Sequence, residues 1–583
     1  MSVSASSSSA KATSTSTSAS TSTQPPTRAD PAAIRPLYAS LPHRHADGYG
    51  YREPDAHVDH VVIGGGIVGL AIAAALSKRW PEKTTVLIER NARGGMETSS
   101  RGSKVVHAGI YYPPDSLKTR LCLRGKHLLY DYCERHGLPI RRTGKLVVGP
   151  PTEDARTYLA NLHEHAQSLA PLTPPTRILT GDEARELEPH LSKDSVGWAL
   201  LSESTGIVGT ADVVSHLQAQ IHDSPAGELM LGTSVIRVDP HQEANSGSAS
   251  GKRGADSSQA GWVIQTAPTV LDEPSGLAAP PQQCQPAKRA SVSGPSDAIL
   301  ARVVINASGL SANQVLNSLI EDRVLPGDDA DGGRGIPMYY AKGNYVRSQG
   351  GSELGIKHLI YPLPDMGQQG GKHAHQGLGT HLTLDMAGNV IFGPDVEWIT
   401  PPQGDGSSEV TSSTCGPDAA TDYWSSHLHP SATPTRLAEM HTAITSYLPC
   451  ITPDSLQPAW AGIRPKLVGP GEKEFRDFEV LWHSSRGLGG QKVWQRALEG
   501  GGFELGPEGQ VLPARTHATA GGGGAMISLL GIESPGLTSS MAIAELVENL
   551  IAQRVWGDHN SSARAAANKG AQNEEVGNLD DWA

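Results

Sequence analysis

A chain of 583 residues with 38% hydrophobic composition can bury more than one core, so two or more domains are expected. A net charge of −12, with no Lys/Arg-rich run, excludes a nucleic-acid surface and requires any anionic substrate to be held by locally placed cations. Five cysteines, Cys122, Cys133, Cys284, Cys415 and Cys450, form no CxxC pair; this excludes a structural zinc, leaves no metal site to expect, and fits a reducing compartment without disulfides.

Residues 1–29 are almost entirely Ser, Thr and Ala, with Lys11 and Arg28 and no acid before Asp30. Such an acid-free, hydroxyl-rich leader has much of the composition of a mitochondrial transit peptide, although it is poor in arginine. A disordered tail on a cytoplasmic protein is the alternative. The longest apolar run, Val61 to Leu76, contains four glycines and is shorter than the ~20 residues a bilayer requires. A soluble or peripherally membrane-attached chain is therefore expected.

The segment HVVIGGGIVGLAIAAALSKRWPEKTTVLIER, His60 to Arg90, carries the strongest local signal. A β-branched strand stops at a turn in which Gly64 permits a tight bend. Gly66 lets the backbone approach a pyrophosphate, and Gly69 lets the following helix pack closely on the strand. The helix N-terminus offers amide N–H groups to phosphate. A second strand, Val86 to Ile88, delivers Glu89, an acid placed for an adenosine ribose and repelling a 2′-phosphate, so the dinucleotide is FAD or NAD.

Downstream, Gly94 to Tyr112 is a loop of small and hydroxyl residues suited to a cofactor ring. Pro113-Pro114-Asp115 starts a long helix that Gly137 stops, carrying Cys122 and Cys133 too far apart to bridge. Lys118 and Arg120 on it are expected to be solvated or helix-pairing. Lys145 to Val148 reads as a strand, Gly206 to Gly209 as a turn before a helix capped near Thr210, Leu231 to Val238 as one strand, and Trp262 to Gln265 as a short strand. Ser/Gly/Ala/Pro-rich stretches at 241–259 and 271–296 are expected to be solvated insertions. Ala301 to Leu310 is a strand ending in a small-residue turn. Alternating patterns from about 335 to 500 suggest an antiparallel sheet interrupted by loops at 366–377 and 403–418. A strand, a Gly-Pro-Gly turn and a helix from Thr538 close the folded part.

These pieces together resemble the FAD-dependent oxidoreductases of the D-amino-acid oxidase superfamily, specifically the L-2-hydroxyglutarate dehydrogenase group. The blocks that carry the resemblance are VIGGGIVGL from Val62, ETSSRGSKVVHAGIYYPPDSLKTRLCLRGKHLLYDYCERHGLPIRRTGKLVV from Glu97, STGIV from Ser204, NASGL from Asn306 and KGNY from Lys342. LIYPLPD from Leu359, LGTHLT from Leu378, AGIRPKL from Ala461 and GIESPGLTSS from Gly531 complete the set, in family order over most of residues 58–550. Gly102 stands where the group usually has Asn, and Gly209 where it usually has Asp.

The resemblance implies an α/β fold: a Rossmann-like FAD-binding domain with a discontinuous α+β substrate domain built on an antiparallel sheet. The FAD-binding segments are expected at 56–150, 201–330 and 520–555, the substrate-domain segments at 151–200 and 331–500, a leader at 1–55 and a tail at 556–583. For the cofactor, Arg90 joins Glu89; Ser99 and Ser100 lie near the flavin, Val235 at the adenine, and Ala307 and Gly309 near the pyrophosphate. Gly531, Pro535, Gly536 and Leu537 lie at the isoalloxazine edge, where a helix N-terminus favours negative charge on the reduced ring.

Oxidising a 2-hydroxy acid by hydride transfer to flavin N5 needs a base for the hydroxyl proton and cations for the carboxylates. His107 and His381 are the histidines the resemblance places in the site, although a histidine taken singly is more often a hydrogen-bonded structural residue. Lys342 and Arg464 are the expected carboxylate cations, with Tyr345 as a hydrogen-bond donor. The implied partners are a small 2-hydroxy dicarboxylate and a quinone or other electron carrier. An FAD-dependent amino-acid or secondary-amine oxidase of the same superfamily is the alternative.

Overall fold

The computed structural model describes residues 51–241, 260–270, 291–292, 297–321, 337–364, 380–399, 424, 427–472, 474–485, 494–496, 503–513 and 524–557. The expected leader, the inserts within 241–259 and 271–296, the loops at 366–377 and 403–418, and the tail therefore lie wholly or mostly outside the described residues.

Two large sheets organise the molecule. Among the described residues the first has ten strands, and its centre is parallel: Ala525–Leu530, Asp297–Asn306, Ala56–Ile63, Thr85–Ile88 and Gly227–Met230 lie side by side in that order. A central parallel strand is covered on both faces, which is why Val61, Val62 and Ile63 form an unbroken β-branched run and are all buried. The helix Ile67–Arg79 packs on one face with its small residues inward. The antiparallel hairpin Thr233–His241 and Gly261–Val270 joins through Asp297–Asn306, and Glu479–Ser484 adds an antiparallel strand beside Ala525–Leu530.

The second sheet has nine strands among the described residues, and all their pairings are antiparallel except that of Lys145–Gly149 with Leu359–Pro362. Its longest pairing joins Tyr339–Ser348 to Leu456–Lys466. Lys145–Gly149, which the sequence assigns to the first FAD-binding segment, belongs to this sheet, whereas Glu479–Ser484 belongs to the first.

Three local expectations change. Gly206–Val208 is a strand of a small three-stranded sheet with Val105–Val106 and Ile140–Arg141, not a turn, because both its edges find partners. The strand expected at Leu231 to Val238 starts two residues later, at Thr233, because Gly232, with φ of +63°, turns the chain between Gly227–Met230 and Thr233–His241. The final helix starts at Gly536 rather than Thr538 and runs to Ile551. The long helix, Leu117–Arg135, is capped by the Ser116 side chain and packs against this final helix at Gly125, where any Cβ would overlap the Thr538 carbonyl. Among the described residues, no helix is long and apolar enough to cross a membrane.

Candidate active site

One cavity is walled by the glycine turn, the loop Thr98 to Tyr112, the N-terminus of the final helix and the facing strands of the second sheet. On its first side, Gly64 has φ of +106°, and a Cβ there would lie 2.6 Å from the Ala307 carbonyl oxygen. Gly69 has no room for a Cβ against the Gly64 carbonyl. These two positions therefore require glycine for backbone reasons. Gly66, which caps the helix Ile67–Arg79 without a side-chain hydrogen bond, lines the cavity, as do Ala307 and Gly309 from the second small-residue turn.

Glu89 ends the second parallel strand with its carboxylate accepting from Gly65 N at 2.6 Å and from Asn91 N at 2.8 Å. Burial, then the neighbouring Glu97, push its pKa up. Arg90 turns away from the cavity to Glu97 and Ser311. Ser99 lines the cavity and accepts the Ile67 N–H at 2.9 Å, whereas Ser100 bonds back to its own turn. Val235 packs in the apolar layer under the parallel sheet, and Gly531 forms a left-handed bend; neither lines the cavity.

Across the cavity, Pro535, Gly536 and Leu537 present the first turn of the final helix. Thr538 fixes the VVHAG segment to it, accepting from His107 N at 3.0 Å and donating to Val105 O at 3.2 Å. His107 therefore stands beside the helix N-terminus. Burial, then Lys145 and Arg464, hold its imidazole down at about 3. His381 is 8% exposed, stacks on Tyr361, and among the described residues its buried Nδ1 has no hydrogen-bond partner; burial, then Arg464, Lys145 and His107, keep it well below the usual range. Both imidazoles are neutral at physiological pH.

The strand pairing explains which cations reach this space. Ala341 pairs with Arg464, and Tyr345 with Trp460, so Tyr345 and Arg464 share one face of the sheet, where they are hydrogen-bonded to each other. Lys342 is three residues from Tyr345, an odd separation that sends it to the opposite face. There it donates to Ser431 at 2.7 Å and faces Glu397 at 4.0 Å, and it does not line the cavity. The expectation that Lys342 holds a substrate carboxylate is corrected on this ground.

Lys118, expected to be solvated, is 5% exposed and reaches Glu533 at 3.1 Å; Lys466 reaches the other Glu533 oxygen at 2.7 Å. Although burial opposes ionisation, Lys118, Lys466 and Arg464 hold the Glu533 carboxyl down at about 2. Sequence reasoning missed this trio, and it missed Lys145 and Tyr361, which also line the cavity. A lysine alternating with Val147 in KLVVG was a readable sign that Lys145 faces inward. Gly102, the departure from the group pattern, lines the cavity, and a Cβ there meets nothing within 4 Å.

The site suits a flavin dinucleotide. Bare backbone at Gly66, Ala307 and Gly309 leaves room for a pyrophosphate, whereas Glu89 does not line the cavity, its carboxylate being held by the Gly65 and Asn91 amides. A helix N-terminus on the far wall favours an electron-rich ring. The chain belongs to the family described as FAD dependent oxidoreductase, whose profile matches residues 59–550, and FAD is its cofactor. It is 30% identical to the mitochondrial L-2-hydroxyglutarate dehydrogenase of Arabidopsis thaliana over 497 residues, 84% of this chain and 83% of the relative. To the L-2-hydroxyglutarate dehydrogenase of Escherichia coli strain K12 it is 27% identical, over 72% of this chain and 85% of the relative. The fold matches that of L-α-glycerophosphate oxidase from Mycoplasma pneumoniae, with a TM-score of 0.55 at 17% identity, covering 85% of this chain and 94% of that one.

Proposed function

We propose that the protein oxidises L-2-hydroxyglutarate, or a closely similar 2-hydroxy dicarboxylate, to the 2-oxo acid and passes the electrons to a quinone or another carrier. The observation that carries this reading is the pairing of a fixed guanidinium, Arg464 held by Tyr345, with two neutral imidazoles, His107 and His381, in one cavity beside the flavin seat. The names of the relatives agree with it.

Gly64, Gly66, Gly69, Glu89, Ser99, Ala307, Gly309 and the first turn of the final helix hold FAD, which when bound supplies the two-electron acceptor for the Cα hydride. Arg464 binds one substrate carboxylate through two parallel N–H groups and so sets the orientation of Cα. His381, whose Nδ1 has no hydrogen-bond partner among the described residues, takes the hydroxyl proton. His107 anchors the substrate from the side of the final helix.

Turnover with an artificial electron acceptor tests the reading: L-2-hydroxyglutarate is converted to 2-oxoglutarate, and the D enantiomer is not. Peroxide release from glycine, sarcosine or a D-amino acid, with no reaction of the hydroxy acid, would transfer the protein to the amine-oxidising branch. We also propose a mitochondrial location, on the acid-free leader and the mitochondrial designation of the plant relative. Fractionation of cells expressing the full chain checks it, and a purely cytosolic signal would refute it.

A further inference from the structure

Lys145 begins the strand Lys145–Gly149, and its side chain is fully buried. The pairing of Val147 with Tyr361 puts Lys145 on the same face as that phenol ring, and the Nζ lies 4.8 Å from the Tyr361 centroid and 4.4 Å from that of Tyr111. Among the described residues, the Nζ has no hydrogen-bond partner and no carboxylate pairs with it. The groups that face it are Tyr111, Tyr361, Cys122, His107 and His381, and none is an anion at neutral pH. A buried ammonium without a counter-ion is costly, and two aromatic faces offset only part of that cost. Burial accordingly drives the Lys145 amine down to about 7. Lys145 lines the same cavity as Arg464, with His107 and His381 close to both cations.

Resting on the dicarboxylate reading above, we propose that Lys145 is the second anion-binding pole of the site and takes the substrate carboxylate that Arg464 does not. The missing counter-ion is then the substrate itself. An acid with two carboxylates neutralises both cations, whereas a monocarboxylate or an amino acid leaves one of them buried and unpaired. The site thus prefers dianions, because only a second carboxylate offsets the cost of a charged, buried Lys145.

Glutarate, which has both carboxylates but no hydroxyl to oxidise, serves as the probe, titrated calorimetrically into the FAD-loaded protein at pH 8 in buffers of different ionisation enthalpy. In wild type the amine is mostly neutral at that pH and becomes charged on binding, so glutarate binds with uptake of close to one proton per site. Lys145→Met is expected to weaken binding about 30-fold or more, the effect of losing one charge-assisted pair, and to abolish the uptake. Its melting temperature rises, because folding no longer requires a lysine to be buried at the cost of its proton.

Lys145→Arg keeps the charge without a titrating proton, and it is expected to bind glutarate with no proton uptake. Wild-type affinity in Lys145→Met would overturn the assignment. So would undiminished proton uptake in either variant, since that uptake would come from His107 or His381. Failure of wild type itself to bind glutarate would overturn the dicarboxylate reading, and the role of Lys145 with it.

Discussion

The imidazole of His381 lies flat on the phenol of Tyr361, with ring centroids 3.8 Å apart and planes 6° from parallel. Tyr361 comes from LIYPLPD and His381 from LGTHLT, and the stack fixes the imidazole plane against the cavity. His381→Ala is expected to lower kcat by about 10²- to 10⁴-fold with FAD retained, as loss of a positioned base does. Tyr361→Leu removes the stack and lowers kcat by about 2- to 10-fold, whereas Tyr361→Phe keeps the ring and most of the rate. His107→Ala acts mainly on KM. Steady-state kinetics on the FAD-loaded variants separate the three, and an unchanged kcat in His381→Ala removes it as the base.

The pH profile follows from the same burial. A histidine whose pKa is lowered stays deprotonated to lower pH, so the acid limb of kcat/KM assigned to His381 lies below 6.5, the ordinary value. A limb at or above 6.5 that vanishes in His381→Ala would contradict a buried, cation-flanked imidazole.

Arg464→Ala is expected to cost about 2 to 4 kcal/mol in kcat/KM, since it removes a bidentate pair and releases Tyr345. Arg464→Lys recovers only part of that loss, because an ammonium cannot reproduce the two parallel N–H bonds. Wild-type kinetics in either variant would take Arg464 out of the site.

Lys342→Met is the matched control. Lys342 bonds Ser431 behind the sheet, so this variant keeps KM and kcat within about twofold and costs roughly 1 kcal/mol of stability, the net value of one hydrogen bond. A KM raised as strongly as in Arg464→Ala would restore Lys342 to the substrate.

Glu533 links stability to pH. Its carboxyl falls from the ordinary 4.5 to about 2 in the folded protein, so the stabilisation is complete above pH 4.5 and is lost as pH falls toward 2. The full term is on the order of 3 kcal/mol. Glu533→Gln lacks it and leaves Lys118 and Lys466 unpaired, so the variant melts lower at pH 7 and its melting temperature falls less than wild type's between pH 5 and pH 3. Parallel pH curves for the two proteins would contradict the ion trio.

What could be read from the sequence was local. Gly64 and Gly69 announce themselves because a strand, a tight turn and a helix need glycine at those positions, and Gly66, Ala307 and Gly309 follow from small-residue turns of the same kind. Tyr345 and Arg464 came from blocks of family resemblance, and strand pairing brings them together. Lys342 is misplaced by a turn reading of Ala341 to Asn344: these residues continue the strand Tyr339–Ser348, in which 342 and 345 point to opposite faces. Lys118 failed because its partner, Glu533, lies 415 residues away, and no helical pattern encodes so distant a contact. Lys145 was visible in the alternation of KLVVG, but only the structure shows two aromatic rings and no anion around it.

The most direct measurement follows the flavin absorbance of the purified protein as L-2-hydroxyglutarate is added without oxygen. Bleaching by the L but not the D enantiomer, slowed by about 30- to 1,000-fold in Arg464→Ala, is the predicted result. No bleaching by either enantiomer with FAD bound, together with bleaching by glycine, sarcosine or a D-amino acid, would contradict the account.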